Sequence, residues 1–335
     1  MPGQGTGQLI TVLGASGLLG TAISRELASR PVRLRLVGRR PVALPPQPTA
    51  LIEERRADLT DPGAVAEAVA GSDVVIHLVA HISGSGTWRV SDGDTLAERV
   101  NLGLVHDVID AIRAQRPARR PALLFSGSLS QSARVPAALA ASTQPHELLT
   151  AYDRHKLAAE QAIADATAKG LVRGSTLRLP TLYSLGTDPV DLDRGVVATM
   201  TRRAVEGRPL TMWHGGTAKR DLLGIDDAAR AFTAALDALD AVAGRAWEIG
   251  TGEQTSVAEL FTAIARTVSR QTGRAPVPVV DSTPDRHAMP TDQLDFVLRS
   301  PEFRNVTGWA PRVPLHEGLD RIAGAVARRH RAVTA

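Results

Sequence analysis

The sequence contains no cysteine, only two tyrosines and only three lysines among its 335 residues. Without cysteine the chain has no disulfide, no zinc–thiolate site and no thiol nucleophile. No apolar run approaches the roughly 18 residues that a membrane-spanning helix requires. Residues 1–8 also lack the basic and apolar segments of a signal peptide. We therefore expect a soluble, cytoplasmic protein without a membrane segment.

The net charge is +4 and the isoelectric point lies near 10, and almost every strong base is an arginine. Basic and acidic residues are interspersed, without the dense basic run that is typical of a nucleic-acid-binding surface. The hydrophobic content of 43% is ordinary for a globular protein with a packed core. We expect neither a nucleic-acid partner nor a bound metal, and a few of the arginines are available for anionic phosphate.

Short apolar segments alternate with helical patterns in the first half of the chain. We predict strands at residues 9–13, 32–37, 51–56, 74–79, 122–125 and 174–179, and helices at 18–29, from 61, at 95–115 and at 150–169. This alternation predicts an α/β fold with a doubly wound parallel sheet of the Rossmann type.

Beyond Pro180, proline and glycine become frequent, and short predicted strands at 209–212, 247–249 and 277–280 mix with helices. This part of the sequence predicts a smaller mixed α/β lobe. We therefore expect a nucleotide-binding domain at residues 1–180. Residues 181–335 then form mainly a substrate-binding lobe, with some chain returning to the first domain.

A glycine-rich turn follows the first predicted strand and opens the first predicted helix. Glycine permits a tight turn, close approach of the backbone to a pyrophosphate, and close packing of helix on strand. The helix N-terminus adds free N–H groups for the phosphate. A purely structural turn is the alternative. The turn predicts a dinucleotide site contacted by Gly14, Ser16, Gly17, Leu18, Leu19 and Gly20.

The end of the second predicted strand distinguishes NAD from NADP. An NAD site places an acid there for the ribose 2′-hydroxyl, whereas arginine accommodates a 2′-phosphate. This chain has Arg39 and Arg40 and no acid, and their guanidinium groups suit a phosphate dianion. The sequence therefore predicts NADP(H), with solvated surface arginines as the alternative. Asp58 and Leu59, after the third predicted strand, are expected to meet the adenine edge.

One of the two tyrosines and one of the three lysines lie four positions apart, at Tyr152 and Lys156. On a helix this spacing places both side chains on one face. A nearby ammonium group favours the ionised form of a phenol. The pair predicts a tyrosine whose proton is exchangeable, and an exposed helix pair without chemistry is the alternative.

The glycine turn with its Gly-x-x-Gly-x-x-Gly spacing, the Tyr-x-x-x-Lys pair and a serine after the fifth strand resemble the extended short-chain dehydrogenase/reductase family. The similarity runs over nearly the whole chain. It implies that Leu78, Val79, Ala80, Asn101, Leu179 and Pro180 also lie beside the cofactor, although Asn101 is equally well explained as a structural residue. The additional matching segments are His77-Leu78-Val79-Ala80, Val100-Asn101, Leu177-Arg178-Leu179-Pro180, Lys219-Arg220-Asp221, Ile225-Asp226-Asp227 and Gly308-Trp309-Ala310-Pro311.

The resemblance implies a catalytic set of Ser128, Tyr152 and Lys156. Tyr152 is expected to give a proton to a carbonyl oxygen during hydride transfer. Its pKa is expected to be lowered by Lys156 and by the oxidised nicotinamide. Tyr152 and Lys156 are also expected to contact the cofactor, Lys156 at the nicotinamide ribose, and Ser128 is expected to bind the substrate oxygen. Ser126 and Ser130 are neighbours that can be mistaken for Ser128.

Several segments resemble the NDP-4-keto-6-deoxyhexose 4-ketoreductases of antibiotic deoxysugar biosynthesis, in particular those that act on dTDP-4-keto-6-deoxy-L-hexoses. They are His77-Leu78-Val79-Ala80-His81, Thr87-Trp88-Arg89, Arg194-Gly195-Val196-Val197 and Pro209-Leu210-Thr211-Met212-Trp213-His214. The resemblance implies a dTDP-sugar substrate and a possible homodimer. The implied substrate residues are His81, Trp88, Arg89, Ser128, Arg194, Thr211, Trp213, Arg220 and Arg286.

Three other functions fit parts of the pattern. A nucleotide-sugar 4-epimerase uses the same Tyr and Lys with retained NAD, and Arg39-Arg40 argues against it. A 4,6-dehydratase needs an Asp-Glu pair after its catalytic threonine, where this chain has Leu129-Ser130. A regulator that senses NADP(H) without catalysis is the third, because a fold alone does not establish an activity.

Overall fold

The computed structural model describes residues 7–81, 90–132, 150–184, 195–283, 293–296, 298 and 300–334. In these ranges no helix is long and apolar enough to cross a membrane. The strands are β1 (Leu9–Leu13), β2 (Arg33–Gly38), β3 (Leu51–Arg56), β4 (Val74–His77), β5 (Ala122–Ser128), β6 (Arg173–Leu179), β7 (Thr181–Tyr183), β8 (Leu210–Met212), β9 (Lys219–Arg220), β10 (Leu222–Gly224), β11 (Ala246–Glu248), β12 (Thr255–Ser256) and β13 (Val279–Asp281).

The α-helices are numbered in the same way. They are α1 (Leu18–Ala28), α2 (Ala64–Ala68), α3 (Thr95–Glu98), α4 (Leu104–Gln115), α5 (Ala151–Ala168), α6 (Gly195–Val205), α7 (Ile225–Asp237), α8 (Leu239–Val242), α9 (Val257–Thr272), α10 (Pro301–Thr307) and α11 (Leu315–Thr334). A π-helical turn, Arg99–Gly103, joins α3 to α4.

Within the described residues the main sheet has seven strands, in the order β11-β6-β5-β4-β1-β2-β3, and all neighbours are parallel. The prediction of a doubly wound α/β fold is confirmed. The strand order reverses at β1, which pairs with β2 on one side and β4 on the other. In such sheets ligands bind outside the carboxyl ends of the strands at this point of reversal.

Helices cover both faces of the sheet and bury its apolar side chains. On one face, α1 and α7 contribute Ile23 and Phe232 to a cluster that includes Val12 of β1. On the other face, α4 and α5 contribute Val105 and Ile163 to a second cluster. Strands buried on both faces are continuous apolar runs, which is why the sequence displays them clearly.

A third cluster lies in the second half of the chain, where α6, α9 and α11 bring together Val197, Phe261 and Ile322. Short strand pairs accompany it: β7 with β10, β8 with β13, and β9 with β12. Strand β11 differs because it pairs with β6 at the edge of the main sheet. The strand predicted at 247–249 therefore belongs to the main sheet and not to the lobe. The domain boundary at residue 180 stays a prediction.

Two helix predictions need correction. The helix predicted to open at Asp61-Pro62 begins at Ala64, because Gly63 takes a left-handed φ of 81° before the first turn. The helix predicted over 95–115 is interrupted by the π-helical turn, which holds Asn101. Such single π turns inside α-helices frequently lie at functional sites.

Candidate functional site

The glycine turn lies between the carboxyl end of β1 and the first turn of α1. The N–H groups of Gly14 and Ala15 donate to the carbonyl of Val37, at 2.9 and 3.1 Å. A Cβ atom on Gly20 would lie 2.2 Å from the oxygen of Gly14, so no other residue permits this approach of helix to strand. Helix α1 starts after Gly17 without a side-chain cap and without an acid in its first turn. These features fit a bound pyrophosphate.

Arg39 and Arg40 follow β2, and both side chains are exposed. Arg40 donates from Nη2 to the carbonyl of Ser16, 3.0 Å away, so its guanidinium lies against the glycine turn. Hydrogen bonds from Thr60, with a smaller contribution from the charge of Arg39, lower the pKa of Asp58. Leu59, by contrast, is 6% exposed and packs in the second apolar cluster. An edge contact to adenine by the Leu59 side chain is therefore not supported.

The segment after β4 lies next to the glycine turn. Leu78 donates its N–H to the carbonyl of Leu13, at 3.0 Å, which continues the strand pairing past the end of β4. Leu78 and Val79 are half-buried and Ala80 is exposed. A Cβ atom on Gly14, whose φ is 84°, would lie 3.2 Å from the nitrogen of Val79. The residues predicted to contact the cofactor after β1 and after β4 thus lie together at one edge of the sheet.

Tyr152 and Lys156 lie in the first two turns of α5 beside the carboxyl end of β5. Their exposed fractions are 9% and 2%, so the alternative of an exposed helix pair is wrong. Lys156 donates from Nζ to the carbonyl of Ser126, at 2.9 Å. The same Nζ lies 4.5 Å from the ring centroid of Phe125 and 5.8 Å from that of Tyr152. The neighbour Ser126 therefore contributes its backbone to this cluster.

Burial controls the protonation of this cluster. It lowers the pKa of Lys156 to about 7. Burial, with a smaller contribution from Lys156, lowers the pKa of His77 to about 3. For Tyr152, burial and then the charge of Asp153 raise the pKa above its ordinary value. The expected lowering of the Tyr152 pKa is therefore wrong for the protein without its cofactor, because burial and the charge of Asp153 both act to raise it.

Ser128 is the last residue of β5 and is half-buried. Its N–H donates to Oε1 of Gln131, at 2.8 Å, and its Oγ lies 2.8 Å from Oγ of Ser130. Gln131 in turn donates to Glu160 of α5, which forms an ion pair with Arg178 of β6. The end of β5 is therefore tied to α5 by side-chain hydrogen bonds. This arrangement holds Ser128 beside the helix that carries Tyr152.

The remaining predicted residues lie in several places. Leu179 and Pro180 are buried at the end of β6. His81 is half-buried, and its Nε2 lies 3.9 Å from Oδ2 of Asp94. Asn101 is fully buried and bonds the backbone of His81, so the structural explanation of Asn101 accounts for both polar groups of its side chain.

The carboxyl edge of the sheet holds the glycine turn together with Ser128, Tyr152 and Lys156.

The candidate substrate residues of the second half are less clearly grouped. Thr211 is exposed in β8, and Trp213 is half-buried just after it. Arg220 is half-buried, donates to the carbonyls of Lys219 and Leu294, and lies over the ring of Phe296 at 5.1 Å. Part of its guanidinium group is therefore already hydrogen-bonded to the backbone of the protein. The predicted residues Trp88, Arg89, Arg194 and Arg286 lie outside the described residues.

Two residues of this site were not predicted from the sequence. Asp153 is 2% exposed and accepts hydrogen bonds from Ser130 and from the N–H and hydroxyl of Thr150. Thr150 and Asp153 form a capping box at the start of α5. The spacing Thr-x-x-Asp before the tyrosine helix was a visible signal for this cap. The contact of Ser130 with Asp153 had no sequence signal.

Residues 10–250 match the model of the NAD dependent epimerase/dehydratase family. The chain belongs to this family. The matched range includes both the glycine turn and the Tyr152–Lys156 pair. The resemblance to extended short-chain dehydrogenases/reductases is thereby confirmed at the level of the family, together with an NAD(P)-dependent class of enzyme.

Three relatives of this family member have different reactions in their names. A dTDP-L-rhamnose 4-epimerase of Burkholderia thailandensis is 26% identical, with 96% of each chain covered. A dTDP-6-deoxy-L-talose 4-dehydrogenase (NAD(P)(+)) of Kitasatospora kifunensis is 27% identical over 92% of this chain and 93% of the relative. A 2-alkyl-3-oxoalkanoate reductase of Stenotrophomonas maltophilia is 30% identical over 77% of this chain and 75% of the relative.

The fold of this family member is similar to that of a solved structure, MoeE5 in complex with UDP-glucuronic acid and NAD. The TM-score is 0.76 at 22% identity, with 96% of this chain and 100% of that chain covered. At this identity the likeness supports the fold and does not define the reaction. The choice among reactions depends on the residues of the site.

Proposed function

We propose that the protein is an NADPH-dependent reductase that converts the 4-keto group of a dTDP-4-keto-6-deoxyhexose to the alcohol, in the biosynthesis of antibiotic deoxysugars. The observation that carries the proposal is the buried Tyr152–Lys156 pair, which lies beside Ser128 at the carboxyl edge of the sheet. The location of this phenol at the same edge as the glycine turn supports a role for Tyr152 as the proton donor.

In this proposal a bound nicotinamide supplies the hydride, and the residues of the chain manage the proton and the substrate oxygen. Tyr152 gives its proton to the oxygen of the ketone as negative charge develops there. Lys156, held by the carbonyl of Ser126, stabilises the phenolate that remains. Ser128 bonds the same substrate oxygen. Burial raises the pKa of Tyr152 and lowers that of Lys156 to about 7, so the stabilising charge of Lys156 is lost as the pH rises above about 7.

Preference for NADPH over NADH rests on Arg39 and Arg40. Both guanidinium groups are exposed at the end of β2, and Arg40 lies against the glycine turn through Ser16. A bidentate guanidinium recognises a 2′-phosphate dianion, whereas an NAD site uses an acid at this place. No acid follows β2 until Glu53. These observations support the proposal that the site binds the additional phosphate of NADP(H).

The proposed substrate class rests on the relatives and on the second half of the chain. The talose 4-dehydrogenase carries out, by its name, redox chemistry at C4 of a dTDP-6-deoxyhexose with either nicotinamide cofactor. Reduction of a 4-ketone is the reverse of such a dehydrogenation. His81, Thr211, Trp213 and Arg220 are the described residues that we assign to the nucleotide and sugar. We assign four further residues to the same nucleotide and sugar: Trp88, Arg89, Arg194 and Arg286.

Stopped-flow absorbance at the NADPH band tests the proposal directly. Enzyme mixed with NADPH and a panel of dTDP-4-keto-6-deoxyhexoses should oxidise NADPH in a burst and then in steady state. The variant Tyr152→Phe is the matched control and should lack both phases. Absence of turnover across the panel would reject the substrate class.

A second candidate is a 4-epimerase that retains its cofactor, which the dTDP-L-rhamnose 4-epimerase favours through coverage of 96% of both chains. Purified protein that carries stoichiometric NAD and epimerises without added cofactor would support it. A 2-alkyl-3-oxo acid belongs in the same substrate panel, because the relative with that name is 30% identical. If NADPH is oxidised with this acid and with none of the sugars, the substrate would be a fatty-acid-derived ketone and not a nucleotide sugar.

A further inference from the structure

A chain of three hydrogen-bonding side chains runs from Ser128 to the start of α5. Oγ of Ser128 lies 2.8 Å from Oγ of Ser130, and Oγ of Ser130 donates to Oδ1 of Asp153. Asp153 immediately follows Tyr152 and is 2% exposed. A buried carboxylate is therefore connected to the serine that we assign to the substrate oxygen.

The donors around Asp153 show that it serves as an acceptor. Oδ2 accepts from the N–H of Thr150 at 3.1 Å and from its hydroxyl at 2.6 Å, while Oδ1 accepts from Ser130. The carboxylate also lies in the first turn of α5, where the helix dipole favours a negative charge. An ionised carboxylate only accepts hydrogen bonds.

The number of protons then fixes the direction of the remaining bond. A serine hydroxyl has one proton and can donate one hydrogen bond. The hydroxyl of Ser130 donates its one hydrogen bond to Asp153. Toward Ser128, the oxygen of Ser130 can therefore only accept a hydrogen bond. The hydroxyl proton of Ser128 is consequently directed at Ser130 and away from any substrate. The lone pairs of Ser128 remain available, apart from a long contact of 3.4 Å with the N–H of Ser130.

We propose that Ser130 and Asp153 are positioning residues that set Ser128 as a hydrogen-bond acceptor toward the substrate. An acceptor at this place bonds the hydroxyl of an alcohol directly. A ketone oxygen, which has no proton, is bonded only after the Ser128 hydroxyl turns away from Ser130. In its resting hydrogen-bond arrangement, the site therefore binds the alcohol more tightly than the ketone. This consequence for binding rests on the proposed function, whereas the direction of the hydrogen bonds does not.

Neutron diffraction from a deuterium-exchanged crystal of the full chain tests the direction without any substrate. We expect one deuterium on Ser128 directed at Ser130 and one on Ser130 directed at Asp153. A deuterium on the Asp153 carboxyl group, or one on Ser130 directed at Ser128, would overturn the proposal. Because no sugar is present, this result is independent of the proposed reaction.

Binding measurements test the consequence, with Ser130→Ala and Ser130→Thr as a matched pair. Calorimetry gives the affinity of a dTDP-4-keto-6-deoxyhexose with NADP⁺ and of its C4 alcohol with NADPH, two complexes that do not react. In Ser130→Ala the ketone should bind about five-fold more tightly, the effect of one neutral hydrogen bond, and the alcohol should change much less. Ser130→Thr retains the hydroxyl and should keep the wild-type ratio.

An unchanged ratio in Ser130→Ala, or equal loss for both ligands, would assign Ser130 a merely structural role and reject the proposed effect on binding. If no dTDP-sugar binds to the wild type, the proposed function fails instead. The neutron map then still decides the direction of the hydrogen bonds. The two failures are thus distinguishable.

Discussion

The side-chain amide of Asn101 bonds both backbone polar groups of His81. Its Oδ1 accepts from the N–H of His81 at 2.8 Å, and its Nδ2 donates to the carbonyl of His81 at 3.1 Å. Asn101 is fully buried in the π-helical turn between α3 and α4. A side chain twenty residues along the chain thus fixes the segment that follows β4, next to the glycine turn.

Replacement Asn101→Ala should release this segment. Two part-buried backbone groups of His81 would lose their partners, so we expect the free energy of unfolding to fall by about 1 kcal/mol. The affinity for NADPH should fall as well, because the segment from Leu78 to Ala80 lies beside the proposed cofactor site. Chemical denaturation and fluorescence titration with NADPH measure the two effects. His81→Ala is the control, since Asn101 bonds only the backbone of His81, and it should retain cofactor affinity.

Replacement Tyr152→Phe should reduce kcat by about a hundred-fold or more, which is the scale of a lost general acid. NADPH affinity and the circular dichroism spectrum should remain close to those of the wild type. Tyr183→Phe is a matched control, because the other tyrosine is buried in the third apolar cluster and its hydroxyl has no partner among the described residues. Equal activity losses in both variants would contradict a specific role for Tyr152.

The burial of Lys156 predicts a pH-dependent stability. Its pKa is about 7 in the folded protein and near 10.5 in the unfolded chain, so the unfolded state binds more protons between these values. The cost of burying the charge is complete below pH 7 and disappears as pH rises toward 10.5. Lys156→Met should therefore be most stable relative to the wild type at low pH. Urea denaturation of the cofactor-free protein from pH 6 to 9.5 measures this difference.

The exposed Lys169 provides the control for that series. Lys169→Met controls for the replacement of a lysine that is not buried. A stability difference for Lys156→Met that does not change with pH would show that Lys156 titrates near its ordinary pKa. The premise of a strongly desolvated ammonium group would then be wrong.

Replacement of Arg39 and Arg40 by Ala should weaken NADPH binding by roughly ten- to a hundred-fold, as expected for lost charge-assisted hydrogen bonds to phosphate. NADH affinity should change little, so the ratio of the two dissociation constants reports the effect. Arg266→Ala, on the exposed face of α9, controls for the loss of a positive charge. If NADH and NADPH weaken in parallel, these arginines do not recognise the 2′-phosphate.

Much of the fold was predictable because its signals are local. The central strands β1 and β4 and the first half of β5 are largely apolar runs buried on both faces, and the glycine turn is defined by spacing alone. The Tyr152–Lys156 pair was visible for the same reason, since an i, i+4 spacing shares one helical face. The sequence by itself therefore determined the doubly wound sheet and identified the candidate site at its carboxyl edge.

Tertiary structure alone decided the properties that depend on residues distant in sequence. It placed Trp247 in the edge strand beside β6, it joined Asn101 to His81, and it directed Ser130 to Asp153. Burial against Val90 and Ala97, followed by the charge of Asp153, raises the pKa of Tyr152. Periodicity and spacing report which face a residue occupies, whereas desolvation and hydrogen-bond direction depend on which other elements pack against that face.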